Sequence, residues 1–323
     1  MPRVRLYRDG ALISEDIRVE DISEHIKQPD SVVWLDLCAP DEVEIKVAAA
    51  EFGLHELAVE DAVHPLQRPK VDVYGGYACL STYAVRLDAV TGELATSEIG
   101  AFVMKRALIT VRKDDGFDMD AVVARWDDAG VLSRHGVGFL LYGLLDHVVD
   151  GHFEAVQRLD ESMEALEDML FDDRPYGSEL QKRSFALRKS LVHLRRVALP
   201  MREVLNTVMR RQGDIVDDAL APYFQDVYDH VLRVFEWTES LRDLVTTILE
   251  THLTMQGNRM NLIMKKVTSW AAIIAVPTAV TGFYGQNLPY PGFASESGLL
   301  MSTGSIVVLS VGLYVLFRAR DWI

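Results

Sequence analysis

Cysteine is nearly absent. Cys38 and Cys79 are the only two in 323 residues, too few for a disulfide framework, and both lie in apolar, strand-like runs (VVWLDLC and YACLSTY) that suit buried, reduced thiols. Basic residues are in deficit. Lys and Arg number 33 against 48 Asp and Glu, a net charge of -15. A nucleic-acid binder needs the opposite balance, whereas an acidic surface suits cations or basic partners. The nine histidines are scattered, with no HExxH and no Cys/His cluster at zinc-site spacing. No GxxxxGK[ST] occurs, and TGSIVV (303–308) carries no lysine, so neither ATP-driven pumping nor enzyme catalysis finds a motif. The opening MPRVRLYRDG has no apolar core of the kind a secretory signal carries. Finally, charge itself runs out: from Val267 onward only Glu296, Arg318, Arg320 and Asp321 are charged.

Two apolar runs fill that charge-poor end, VTSWAAIIAVPTAVTGFY (267–284) and SGLLMSTGSIVVLSVGLYVLF (297–317). A helix of about 20 apolar residues crosses the hydrocarbon core, and the proline in the first run, Pro277, is tolerated in membrane helices. Lys265 and Lys266 precede the first run, Arg318 and Arg320 follow the second, and the connecting segment carries only Glu296. Lys and Arg favour the cytoplasmic side. The expectation is therefore a multi-pass protein of the inner (plasma) membrane with both termini cytoplasmic, an external loop at 285–296 and a tail at 318–323. A soluble buried hairpin is the other reading of the same runs.

The charge-rich remainder divides in two. Up to about residue 115, SVVWLDL, YACLSTYAVRL and AFVMKRALITVRK read as strands, and DEVEIKVAAAEFG reads as a helix with an acidic first turn, stopped by Gly53. This is an α/β or α+β domain. Residues 116–221 carry the helical period: Leu141, Leu144, Leu145, Val148, Val149, Phe153 and Val156 fall at helical spacings. An acidic stretch (Asp160 to Asp173) is followed, past Pro175 and Gly177, by the basic QKRSFALRKSLVHLRR. These read either as an antiparallel pair with complementary charge or as two solvated faces. Pro222 suits a first helical position, and no strong break follows before Pro277. A helix over 222–284 would be roughly 95 Å long at 1.5 Å per residue, a lever from a cytoplasmic domain into the bilayer.

The first span ends in Tyr284-Gly285-Gln286-Asn287, which resembles the YGMN signature closing the first membrane helix of CorA-type magnesium and cobalt transporters. LAVEDAVHPLQRPKVDVY (57–74), LPMREVLN (199–206), PYFQDVYDH (222–230) and the tail RARDWI (318–323) agree in family order. The resemblance implies a funnel-shaped homopentamer: α/β cytoplasmic domains, long helices, and two C-terminal membrane helices of which the first lines a pore. It implies a hydrophobic constriction at Met264 and Val267, and a regulatory divalent-cation site between subunits at Glu60, Asp61 and Asp226. Glu60 and Asp61 also fit a plain solvated helix turn. The departure is Gln286, where the magnesium members carry Met and related zinc transporters vary.

The pore chemistry can be argued from the residues themselves. Two spans cannot enclose a pore, so transport requires oligomerisation. The first span has no acidic residue. Magnesium sheds water reluctantly, and a ring of uncharged oxygens accepts hydrogen bonds from its waters without stripping them. Gly285 lets the backbone turn and Asn287 offers an amide oxygen. Asn261, Met264, Thr268, Ala271, Ala275, Thr278 and Gly282 lie near one helical face, which the resemblance makes a pore lining and which could otherwise be a small-residue packing stripe. The readings carried forward are a passive channel for magnesium, with cobalt or nickel as related ions; a zinc transporter of the same architecture; and a non-transporting membrane scaffold, which leaves the Gly-Gln-Asn loop unexplained.

Overall fold

The computed structural model describes residues 2–15, 17–63, 68–88, 92–128, 130–172, 177–211, 215–286, 289, 292–293 and 295–323. They fall into two compact units, Met1–Ile248 and Leu249–Ile323. The elements in chain order are β1 (Arg3–Arg8), β2 (Ala11–Ser14), α1 (Ile22–His25), β3 (Ser31–Cys38), α2 (Glu42–Phe52), α3 (Glu56–Val63), β4 (Lys70–Tyr74), β5 (Tyr77–Leu87), β6 (Leu94–Met104), β7 (Ala107–Arg112), α4 (Met119–Asp128), α5 (Gly136–Phe171), α6 (Gly177–Met209), α7 (Ala221–Tyr284) and α8 (Glu296–Ala319).

The first unit is built on a mixed seven-stranded sheet of order β2-β1-β3-β7-β6-β5-β4. Only β3 and β7 pair in parallel; the other neighbours are antiparallel. The sequence SVVWLDLC is apolar almost throughout because β3 is covered on both faces, the usual reason for a continuous apolar strand. On one face Val33, Leu35 and Leu37 pack with Ile45 and Ala48 of α2 and Ala58 and Ala62 of α3. On the other, Trp34 joins Trp126 of α4, Leu141 and Leu144 of α5 and Phe224 of α7. The Trp34 and Trp126 rings meet edge to face at 4.9 Å, and α5 carries Gly143 where any Cβ would come within 2.5 Å of the Trp126 ring nitrogen.

Local signals explain the element ends. Asp41 caps α2 by accepting from Val43 and Glu44 backbone N–H groups, and Glu44 reaches back to the Asp41 N–H, a reciprocal capping box. Gly53 ends the helix in the left-handed conformation at φ +64°. The run AFVMKRALITVRK is not one strand: it turns back at Lys105–Arg106, so that β6 and β7 pair antiparallel with Phe102 opposite Ile109.

The long helices pack through apolar stripes. Leu159, Met163, Leu166 and Leu170 of α5 and Leu180, Leu187, Leu191 and Leu194 of α6 are buried. Among the described residues, ion pairs of these helices run within each one (Glu154–Arg158, Glu179–Arg183) or to other elements (Arg125–Asp146, Lys189–Glu93, Arg195–Glu239). Much of the buried face of the hairpin is leucine. The head-side part of α7 joins them: Phe153 of α5 lies against Trp237, and Arg202 of α6 covers the Phe235 ring.

The second unit holds the rest of α7 and all of α8. Each helix is long and apolar enough to cross a membrane, and the apolar windows are almost wholly unburied. Their shared face is narrow. On α7 it consists of Ser269, Ala272, Ile273, Val276, Pro277, Val280 and Tyr284; on α8 it follows Gly298, Ser302, Ser305, Ile306, Ser310, Leu313, Tyr314 and Phe317. Trp270 and Tyr314 rings approach to 6.4 Å. Gly298, Ser302, Ser305 and Ser310 on α8 and Ser269 and Ala272 on α7 are small residues of the kind that let helices approach closely in lipid.

Candidate functional site

Asn261, Met264, Thr268, Ala271, Ala275 and Thr278 all sit on α7 at steps of three and four, with Val267 at the edge of their stripe, and every one is exposed. At 100° per residue this stripe lies about 150° around the helix from the residues that meet α8. Thr278 donates its hydroxyl to the Ile274 carbonyl at 3.2 Å. That spends its proton inside the helix, so the remaining lone pairs of its oxygen are acceptors.

At the end of α7 the Gly285 N–H bonds the Thr281 carbonyl at 2.8 Å and the Gln286 N–H bonds Phe283 O at 3.3 Å. A Cβ at position 285 would stand 2.9 Å from the Thr281 oxygen, so the tight turn requires glycine. Gly285 and Gln286 are exposed. Asn287 lies outside the described residues. The C-terminus of a helix carries about half a negative charge from its unpaired carbonyls.

The three acidic residues of the expected regulatory site are on separate elements. Glu60 and Asp61 are on α3 and Asp226 is on the first turns of α7. Asp61 is ion-paired with Lys70 of β4, Nζ to Oδ2 at 2.6 Å, and the same ammonium reaches Asp72 Oδ2 at 2.8 Å. The Asp226 side chain is 67% exposed, with His230 Nε2 at 4.0 Å from its carboxylate. Among the described residues of one chain no group of three or more His, Cys, Asp or Glu is arranged to hold a metal.

The structure adds a neighbour that carries no motif. Asp146 and Asp150 of α5 share Arg125 of α4 at 2.8 and 2.7 Å. Burial pushes the Asp146 carboxyl above its ordinary range, with Asp150 adding to the effect, Arg125 opposing it, and Asp226 contributing in the same direction as Asp150. The Asp146 carboxylate thus lies in electrostatic range of Asp226. In sequence it is hidden inside the amphipathic run LLDHVVD, where one aspartate per turn looks like a solvated position.

A mixed-sheet head, one helix continuing into an apolar stretch, and a second apolar helix after it define a membrane protein with two C-terminal spans and a large domain outside the membrane. The chain belongs to the CorA-like Mg2+ transporter family, whose model matches residues 29–319. It is 28% identical over 293 residues to the cobalt/magnesium transport protein CorA of Thermotoga maritima, covering 90% of this chain and 83% of that one. It is 21% identical to the zinc transport protein ZntB of Pectobacterium carotovorum, covering 79% and 77%. The complete structure of the CorA magnesium transporter from Methanocaldococcus jannaschii superposes with a TM-score of 0.78 at 22% identity, over 100% of this chain and 99% of that one. The α/β head, long helices and two apolar C-terminal helices are the fold of that structure.

Proposed function

We propose that this protein is a passive divalent-cation channel whose main cargo is magnesium, with cobalt or nickel as related ions. It works as a homopentamer in the plasma membrane with both termini cytoplasmic. The observation that carries this reading is the bare stretch of α7. Every residue from Leu253 to Thr268 is exposed, including Leu253, Met255, Met260, Leu262, Ile263, Met264 and Val267. Fully burying one such side chain is worth about 1.5–3 kcal/mol, and these seven are a little over half exposed, so this stretch leaves roughly 6–12 kcal/mol unrealised in a lone chain. Its apolar residues point all around the helix, and the stretch begins well before the apolar span, where lipid is not at hand. Other copies of the same helix are the natural cover.

Packing copies around an axis would bring the exposed stripe of α7 inward, with α8 on the lipid side. The ion then meets Asn287, the backbone at Gly285, and Thr278, Ala275, Ala271, Thr268, the apolar Val267 and Met264, and Asn261. Apolar rings at Met264 and Val267 shut the path by dewetting. With no nucleotide motif, transport runs down the electrochemical gradient, and an inside-negative potential favours entry of a divalent ion by about 4.6 kcal/mol per 100 mV. Intracellular magnesium bound by Glu60, Asp61 and Asp226 of neighbouring subunits holds the ring closed, since hard cations prefer carboxylate oxygens.

A second reading, zinc as the cargo, is favoured by Gln286 and by the likeness to a zinc transporter. Uptake into proteoliposomes with magnesium, cobalt, nickel and zinc in competition separates them. Asn287→Ala is expected to abolish uptake while the oligomer keeps its size, and Gln286→Met to leave the order of ions unchanged. A changed order would assign Gln286 to selectivity and support zinc. Parent protein that passes none of the four ions would overturn the channel reading.

A further inference from the structure

Asp61 is not an open ligand in the folded chain. β4 is an edge strand, and side chains two apart on a strand share a face. Lys70 and Asp72 therefore project together, on the side of the sheet that α3 covers, and α3 lays Asp61 over them. The Lys70 ammonium stands between the two carboxylates, 2.6 Å from Asp61 and 2.8 Å from Asp72. Side-chain exposure is 28% for Lys70 and 35% for Asp61, so the pair is partly shielded from water. Cys79 of β5 pairs with Asp72 across the ladder and faces the same group. Burial first, and then Asp72, pushes its thiol up to about 12, while Lys70 pulls the other way. Hydrogen bonds to Asp61 and Asp72 hold the Lys70 ammonium above the ordinary lysine range, so it remains charged at any physiological pH.

We propose that Lys70 is a tethered counter-cation that competes with the regulatory divalent ion for Asp61, and thereby sets the magnesium concentration at which the channel closes. The inference rests on the regulatory reading of Glu60, Asp61 and Asp226. A ligand that needs a carboxylate free sees its dissociation constant raised by the inverse of the free fraction. A pair formed in nine molecules of ten raises it about tenfold. Such a competitor moves a carboxylate site away from the tight range of dedicated cation buffers toward concentrations where a sensor of an abundant ion must work. A purely structural Lys70, guarding the sheet edge with its charge, would not move that concentration.

The test uses full-length protein in proteoliposomes, with magnesium titrated on the cytoplasmic side and magnesium-dependent protection from limited proteolysis as a second readout. Lys70→Met is expected to lower the half-closing magnesium concentration by about three- to tenfold, the release of partly exposed ion pairs. Lys70→Arg, which keeps the charge, should stay within about twofold. Lys70→Gln serves if the Met variant does not assemble. Asp61→Asn alone should raise the half-closing concentration, and adding Lys70→Met to it should then change nothing. If Asp61→Asn acts as expected while Lys70→Met and Lys70→Gln match the parent, the counter-cation role is overturned and the regulatory site stands. If Asp61→Asn itself has no effect, the site fails and this inference with it.

Discussion

Asp226→Ala separates regulation from stability more cleanly than any other substitution in the head. The side chain is 67% exposed, and His230 stands 4.0 Å away, one helical turn along. An exposed i,i+4 pair is worth a few tenths of a kcal/mol, and alanine is the better helix former. The fold should therefore shift by no more than about 0.5 kcal/mol. Regulation should change far more. Moving a channel from 1:99 to 99:1 open needs about 5.5 kcal/mol of differential binding. Shared over the five equivalent inter-subunit sites of the proposed pentamer, that is roughly 1 kcal/mol per site, well within what one carboxylate ligand supplies. Losing Asp226 in every subunit would then remove a ligand from all five proposed sites together and with it most of the bias. The assay is magnesium current at a series of cytoplasmic magnesium concentrations, with size-exclusion chromatography as the control for assembly. Current should persist at concentrations that silence the parent. An unaltered inhibition curve from an intact oligomer would refute the argument that Asp226 holds the closed state.

Two further substitutions probe other links of the chain. Met264→Asp places a charge on the apolar ring proposed as the gate; leak at high magnesium should rise, and flux that falls or stays level would move the gate elsewhere on α7. Asp36→Ala strips a buried carboxylate, 3% exposed, from the Arg112 guanidinium at 2.5 and 3.1 Å and from the Thr110 hydroxyl at 2.7 Å. It should cost about 3–5 kcal/mol, read as a thermal midpoint lower by roughly 6–20 °C with no change in ion preference, and a shift under about 2 °C would show the pair is not holding the sheet.

How much of this was legible in the residues depends on how local the cause is. β5 is legible because YACLSTYAVRL is bounded by Gly-Gly before and polar residues after. α2 is legible because its cap, its acidic first turn and its Gly53 stop are all within a few residues. The two spans follow from length and absence of charge alone. What fails is what depends on partners far away in sequence. β1 is disguised by Arg5, which is buried at 2% exposure and paired with Asp127, a partner 122 residues on. The β6–β7 turn is disguised because Lys105–Arg106 carries neither glycine nor proline. The head reads as α/β or α+β because a single parallel pair, β3 with β7, is not signalled by pattern. At the site, the helical spacing of the α7 stripe is readable from the sequence, but its exposure opposite α8 is not. Lys70 looks like a solvated edge charge until α3 is laid over β4.

The distribution of oxygen types along the chain fits the two tasks, sensing and conduction, of the proposed channel. The head is rich in carboxylates: Asp61 is paired with Lys70, Asp146 is paired with Arg125, and Asp226 stands in electrostatic range of Asp146. From Val267 to Tyr284 there is no carboxylate at all. A sensor must hold its ion long enough to bias a conformation, whereas a conduction path must let it go. Carboxylates suit the first task and neutral oxygens the second. The mouth still needs some attraction, and the end of α7 can provide it without a titratable group. One helix C-terminus contributes about half a negative charge, so five of them around an axis would offer roughly two and a half, close to balancing one divalent ion. That field is spread over backbone carbonyls and amides, which bond to the ion's waters and need not replace them. In the proposed channel, the missing acids of the first span would let a strongly hydrated cation enter, and the crowded acids of the head would hold the ion that closes the pore.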